Sequence, residues 1–166
     1  ILGPALMVQG CLQTDNSVLV DFTGTENLVV DGGQARIEAE TGTFDFLRVN
    51  FDPLANSAFT NLSFNINAAD PGTVTIFADV INDADVFQSF AVSQAGSNFF
   101  HVDAINGQLL QSVSFSGLTA LSVDFTDVRQ VRIGGQETPL PEPGALLLLG
   151  TVLGALGVTS RRQKAG

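Results

Sequence analysis

The chain has 166 residues, 45% of them hydrophobic, and a formal charge of −10, which is enough for one domain with a true core plus a tail. The charge is uneven: up to Pro143 four arginines stand against 17 carboxylates, leaving −13, while the last six residues carry Arg161, Arg162 and Lys164. So acidic a body repels nucleic acid and anionic lipid; the lone Cys11 excludes an intrachain disulfide and the lone His101 excludes a zinc site built from several His and Cys.

The opening ILGPALMVQGCLQ is mildly apolar with no basic residue ahead of it, and is expected to be a processed or truncated start whose export leader lay upstream. Cys11 is expected to be a small, partly buried thiol. From Ser17 to Gly135 short runs alternate apolar and polar residues and are broken by Gly, Asn, Asp and Pro. Val18, Val20 and Phe22 share one face of the first run; Leu62, Phe64 and Ile66 share another, opposite Asn61, Ser63, Asn65 and Asn67. Val74, Ile76, Ala78 and Val80 repeat the pattern, followed by Phe100 and Val102 opposite Phe99, His101 and Asp103. Val113, Phe115, Leu121, Val123 and Phe125 continue it, and VRQVRI closes it with Val131 and Ile133 inward and Arg132 outward. The turn sequences DGG, ADPG and INGQ separate these runs, the last with the composition of a type I′ hairpin turn. About nine to eleven strands with a turn every ~8–12 residues predict an all-β, antiparallel β-sandwich over 1–135, jelly-roll-like in topology.

Several polar groups in this body are candidate sites. Asp79, Asn82, Asp83 and Asp85 lie within seven residues and supply the hard oxygens that Ca²⁺ prefers. Their spacing is not that of an EF-hand, and loop aspartates also serve as turn residues. Glu38, Glu40 and Asp45 read as a solvated strand face. His101 and Asp103 sit at i and i+2 on one strand face, but no G-x-S-x-G elbow supplies a nucleophile. No residue is therefore assigned as catalytic, and the chain is not expected to be an enzyme. The 13 Phe occur with no Trp and no Tyr, the residues whose flat faces and polar edges usually stack on sugar rings, so a standard carbohydrate platform is not expected.

Residues 136–143 carry Pro139, Pro141 and Pro143, a stiff extended linker that cannot join a sheet. From Pro143 to Ser160 no residue is charged, and 144–160 as a helix spans about 26 Å, slightly short of the ~30 Å hydrocarbon core. The basic tip at 161–166 holds its end cytoplasmic by the positive-inside rule, so the body lies across the membrane. The expectation is a C-terminal stop-transfer helix on an exported domain.

The order of these parts, a Pro-Glu-Pro triplet (Pro141, Glu142, Pro143), a Leu/Gly-rich span and an Arg-rich end, resembles the PEP-CTERM sorting signal of exported bacterial proteins. The resemblance covers about the last 26 residues. It implies that Pro141, Glu142 and Pro143 are the motif read by exosortase, an integral-membrane cysteine protease. Gly144 to Ser160 would then be a transient inner-membrane span and Arg161, Arg162 and Lys164 its stop. It also implies delivery of the body to the cell surface or exopolysaccharide matrix of a Gram-negative bacterium. The body is then expected to be a structural or interaction module. The alternative is a Ca²⁺-dependent polysaccharide-binding module of the biofilm matrix, with extracellular polysaccharide as its partner.

Overall fold

A computed structural model of the chain describes residues 3–31, 35–52, 57–94, 98–117 and 123–139. The sorting motif Pro141, Glu142 and Pro143, the 144–160 span, the stop residues Arg161, Arg162 and Lys164, and Leu121 lie outside the described residues. Among the described residues no helix is long and apolar enough to cross a membrane.

The described chain forms ten strands, all paired antiparallel: β1 (Ala5–Cys11), β2 (Leu19–Asp31), β3 (Arg36–Ala39), β4 (Phe46–Phe51), β5 (Asn61–Ala68), β6 (Gly72–Val80), β7 (Val86–Val92), β8 (Asn98–Asp103), β9 (Leu110–Ser116) and β10 (Phe125–Gly134). Their hydrogen-bonded order is β7-β6-β9-β4-β2-β3-β10-β5-β8, with β1 on β2. The path folds over on itself into two layers, β4-β9-β6-β7 and β3-β10-β5-β8, the interleaved order of two Greek keys. β2 serves both: residues 20–24 pair with β4 and residues 28–31 with β3. Between them the pairing with β1 jumps from Met7↔Thr23 to Ala5↔Leu28, a bulge at which the strand passes from one layer to the other.

The alternation in the sequence places the core between the layers. Val18, Val20, Phe22, Leu62, Phe64, Ile66, Val74, Ile76, Ala78, Val80, Val113, Phe115, Val123 and Phe125 are all buried in one cluster. Phe64 of β5 stacks on Phe115 of β9 with centroids 4.6 Å apart, and Phe115 meets Phe125 of β10 edge-on at 5.9 Å. These rings join the layers. Phenylalanine suits this place because, unlike Tyr or Trp, it brings no polar group that needs a partner inside.

The far edges also approach each other. Phe90 of β7 meets Phe100 of β8 at 5.4 Å, and Ala68 bridges Gln94. The Asn98 side chain accepts the Ser93 amide and donates to the Ile66 and Ser93 carbonyls at 3.0–3.1 Å, stitching the seam. The closure is made by side chains and this one bridge between Ala68 and Gln94, while β7 and β8 each pair along one side only among the described residues.

Three local expectations change. INGQ does adopt positive φ at Asn106 and Gly107, with the Gln108 amide donating to the Ile105 carbonyl at 3.0 Å. It is not a hairpin, however: β8 pairs with β5 while β9 pairs with β4 and β6, so the turn carries the chain between layers. In VRQVRI, Gln130 has φ 56° and the register to β5 slips between Arg129 and Arg132, which leaves Val131 and Ile133 only half-buried. Cys11 is exposed at the end of β1, with its Sγ 3.8 Å from Asn16 Oδ1, rather than partly buried.

Candidate functional site: a groove across one outer sheet face

With Leu47 and Val49 of β4, Val113 and Phe115 of β9, and Val74 and Ile76 of β6 committed to the core, the intervening residues must face outward. Register then sets them side by side. Arg48 lies opposite Ser114, Ser114 opposite Phe77, and Phe77 opposite Phe87, one row across four strands. Beside it run the rows Asn50–Ser112–Asp79 and Phe46–Ser116–Thr75–Ser89. The middle strand thus sets three serines, the smallest hydroxyl side chains, between the phenylalanines of its neighbours, Ser112 and Ser116 buried beneath them and Ser114 half-exposed. The result is an open groove of about 260 Å³ lined by Phe46, Arg48, Phe77, Ala78, Asp79, Asp85, Ser112 and Ser114.

Its apolar wall is open: Phe77 is 42% exposed, and Phe87, beside the groove on β7, is 70% exposed with its ring centroid 5.8 Å from that of Phe77. Its polar members touch each other lightly. Arg48 Nη2 stands 3.6 Å from Asp79 Oδ2, the Ser112 hydroxyl donates to the same oxygen at 3.3 Å, and the Thr75 and Ser89 hydroxyls are 2.8 Å apart. Donors and acceptors beside exposed aromatic faces suit a ligand that has apolar faces and many hydroxyls.

The expected Ca²⁺ set divides in the structure. Asp79 is on β6 with Arg48 and Ser112. Asn82 occupies the left-handed region at φ 58° in the following turn. Asp83 accepts the Ala84 amide at 2.7 Å and the Gln108 side chain at 2.6 Å; these two bonds, amide first, hold its carboxyl below the usual carboxylate range. Asp85 lines the groove. Among the described residues no three His, Cys, Asp or Glu side chains gather as a metal cluster.

The solvated acidic set is tied to neighbours: Glu38 pairs with Arg36, Glu40 accepts from Asn27 at 3.1 Å, and Asp45 accepts from Thr25 at 2.8 Å.

The opposite outer face, on β3-β10-β5-β8, is tied together at its centre, while β8 holds Phe99 (62% exposed), His101 and Asp103 open to solvent. Asp127 is 1% exposed and accepts from Arg129 at 2.7 and 2.8 Å, from Arg36 at 3.2 Å and from Asn67 at 3.2 Å. Burial pushes its carboxyl up, but the Arg129, Asn67 and Arg36 bonds and the Arg129 charge outweigh it and hold the group below the usual range. His101 is half-exposed here, its Nε2 2.9 Å from Asp103 Oδ2 and its Nδ1 2.7 Å from Ser63 Oγ. The Ser63 contact, 38 residues away in sequence, was invisible to spacing.

No family model matches the chain, and no curated protein matches it. Among solved structures, a mutant of CBM29-2, a family 29 carbohydrate-binding module studied for ligand recognition, is similar at 14% identity and a TM-score of 0.42, over 84% of this chain and 99% of that one. A likeness at that level carries no argument about this chain.

Proposed function

We propose that this is an exported protein of the cell surface or extracellular matrix, sorted through its C-terminal PEP-CTERM signal, whose β-sandwich body binds polysaccharide in the groove across β4-β9-β6-β7. The sorting half rests on the sequence: the Pro141-Glu142-Pro143 triplet, the uncharged span and the basic tip in that order. The binding half rests on the groove. Phe77 and Phe87 hold apolar rings in solvent beside Ser112, Ser114, Arg48 and Asp79, and exposed aromatic surface of this kind marks an interaction site. The phenylalanines supply the stacking face for which Trp and Tyr are absent.

One pair of strains tests both halves. In cells with and without the sortase, mass spectrometry of the mature C-terminus should show loss of the residues after Pro143 only where the protease is present. An intact tail in both would make the span a permanent anchor. The protein should be retained by the producer's own matrix polysaccharide, and Phe77→Ala should release it. Equal retention of the variant would remove the groove from the reading.

A further inference from the structure

The groove's charge and its course across the strands specify the class of polysaccharide, an inference that rests on the binding role proposed above. Of the four arginines in the body, three (Arg36, Arg129 and Arg132) are on β3 and β10 of the other layer. Arg48 alone lies on this face, already facing Asp79 at 3.6 Å, while Asp79 and Asp85 line the groove and Asp21 lies in the next strand's row. The body as a whole carries −13, four arginines against 17 carboxylates. A uronate or sulfate polymer would approach a like-signed field with one cation, itself beside Asp79, to offset it. An uncharged sugar chain meets no such barrier and can set its ring faces on Phe46, Phe77 and Phe87 and its hydroxyls against Ser114, Arg48 and Asp79.

The layout also fixes direction. Phe46 is on β4, Phe77 on β6 and Phe87 on β7, with the serine-bearing β9 between β4 and β6. Phe46 and Phe87 are three strand spacings apart and one row out of line, a diagonal of about 16 Å, room for about three linked sugar rings. Along a strand the same face offers no such series of rings, since Arg48 and Asn50 follow Phe46 on β4, and Asp79 follows Phe77 on β6. We infer that the groove takes an uncharged glycan laid across the strands, with Phe46 and Phe87 reading different rings of one chain.

The test uses the full chain in mild detergent, run through native gels containing neutral polymers (a β-glucan, a galactomannan, a xylan, a dextran, chitin oligomers) or acidic ones (polygalacturonate, alginate, dextran sulfate). Retardation by a neutral polymer that persists in high salt, with none by the acidic set, is the expected result. Retardation by an acidic polymer overturns the class assignment and leaves the binding role standing. Retardation by none of them, together with no retention by the producer's polysaccharide, removes the binding role itself. Oligomers of the retained polymer then test direction. Affinity should rise up to about three rings and level off, and Phe46→Ala and Phe87→Ala should each weaken the long oligomers about tenfold while only one of them weakens the disaccharide. Equal effects on short and long oligomers, or no effect from either change, would overturn the crosswise placement. Both rings lie outside the core, Phe87 at 70% exposure, so a matching circular dichroism spectrum confirms that the variants fold.

Discussion

The two outer faces of the sandwich are made from the same alternating strands but dispose of their polar groups in opposite ways. On β3-β10-β5-β8 the charges converge inward on Asp127, which four hydrogen bonds satisfy at near-zero exposure. On β4-β9-β6-β7 the charged pair Arg48–Asp79 is loose and half-open, and the aromatic rings point at water. The centre of the first face uses its polar groups to hold strands together, with Phe99, His101 and Asp103 open only at its β8 edge; the second leaves its charged pair open at its middle. A buried, multiply bonded carboxylate contributes to stability, whereas an exposed pair at 3.6 Å contributes little.

That contrast can be broken at its strongest point first. Asp127→Asn should cost about 2–4 kcal/mol by urea unfolding, because it leaves Arg129 and Arg36 facing a neutral group. Asp79→Asn on the other face should cost under about 0.5 kcal/mol. Equal losses would mean the faces are not different in kind. The same residue sets a pH signature. The Asp127 carboxyl is depressed in the folded state, so its contribution is full above the unfolded value and is lost as pH falls through the lower folded value. Acid titration of stability should be steeper in the parent protein than in Asp127→Asn. On the groove face, Phe77→Ala should change stability by less than about 1 kcal/mol while reducing polysaccharide affinity by tenfold or more, about 1.4 kcal/mol. Gly107→Ala, at φ 76° in the turn between layers, should cost about 1 kcal/mol and disturb both faces alike. Smallest of all, millimolar Ca²⁺ should raise Tm by less than about 2 °C, since no carboxylate cluster awaits it among the described residues. A larger rise would restore the calcium reading of Asp79, Asn82, Asp83 and Asp85.

The sequence made the strands and their inner faces legible, because a period of two needs only local residues to be seen. SVSFS shows at once that Val113 and Phe115 go in and the serines out. It cannot show that those serines lie between Phe46, some seventy residues earlier, and Phe77; only the pairing of β4 and β6 with β9 does that. Asp127 was hidden for the same reason, its partners Arg36 and Asn67 being 91 and 60 residues away. The INGQ turn was legible as backbone geometry but not as topology, since a tight turn can link two layers as readily as two neighbours. The calcium set failed to converge because nearness in sequence places Asp79 on a strand and Asp83 in a turn, each with its own hydrogen-bond partner.

β2 ties the two layers together mechanically. A thirteen-residue strand whose first half belongs to one layer and whose second half belongs to the other acts as a shared beam, so neither layer can be peeled away while the other stays intact. Unfolding should therefore proceed as a single cooperative event, with amide exchange protection falling together in β4 and β3 although these two strands are not paired with each other.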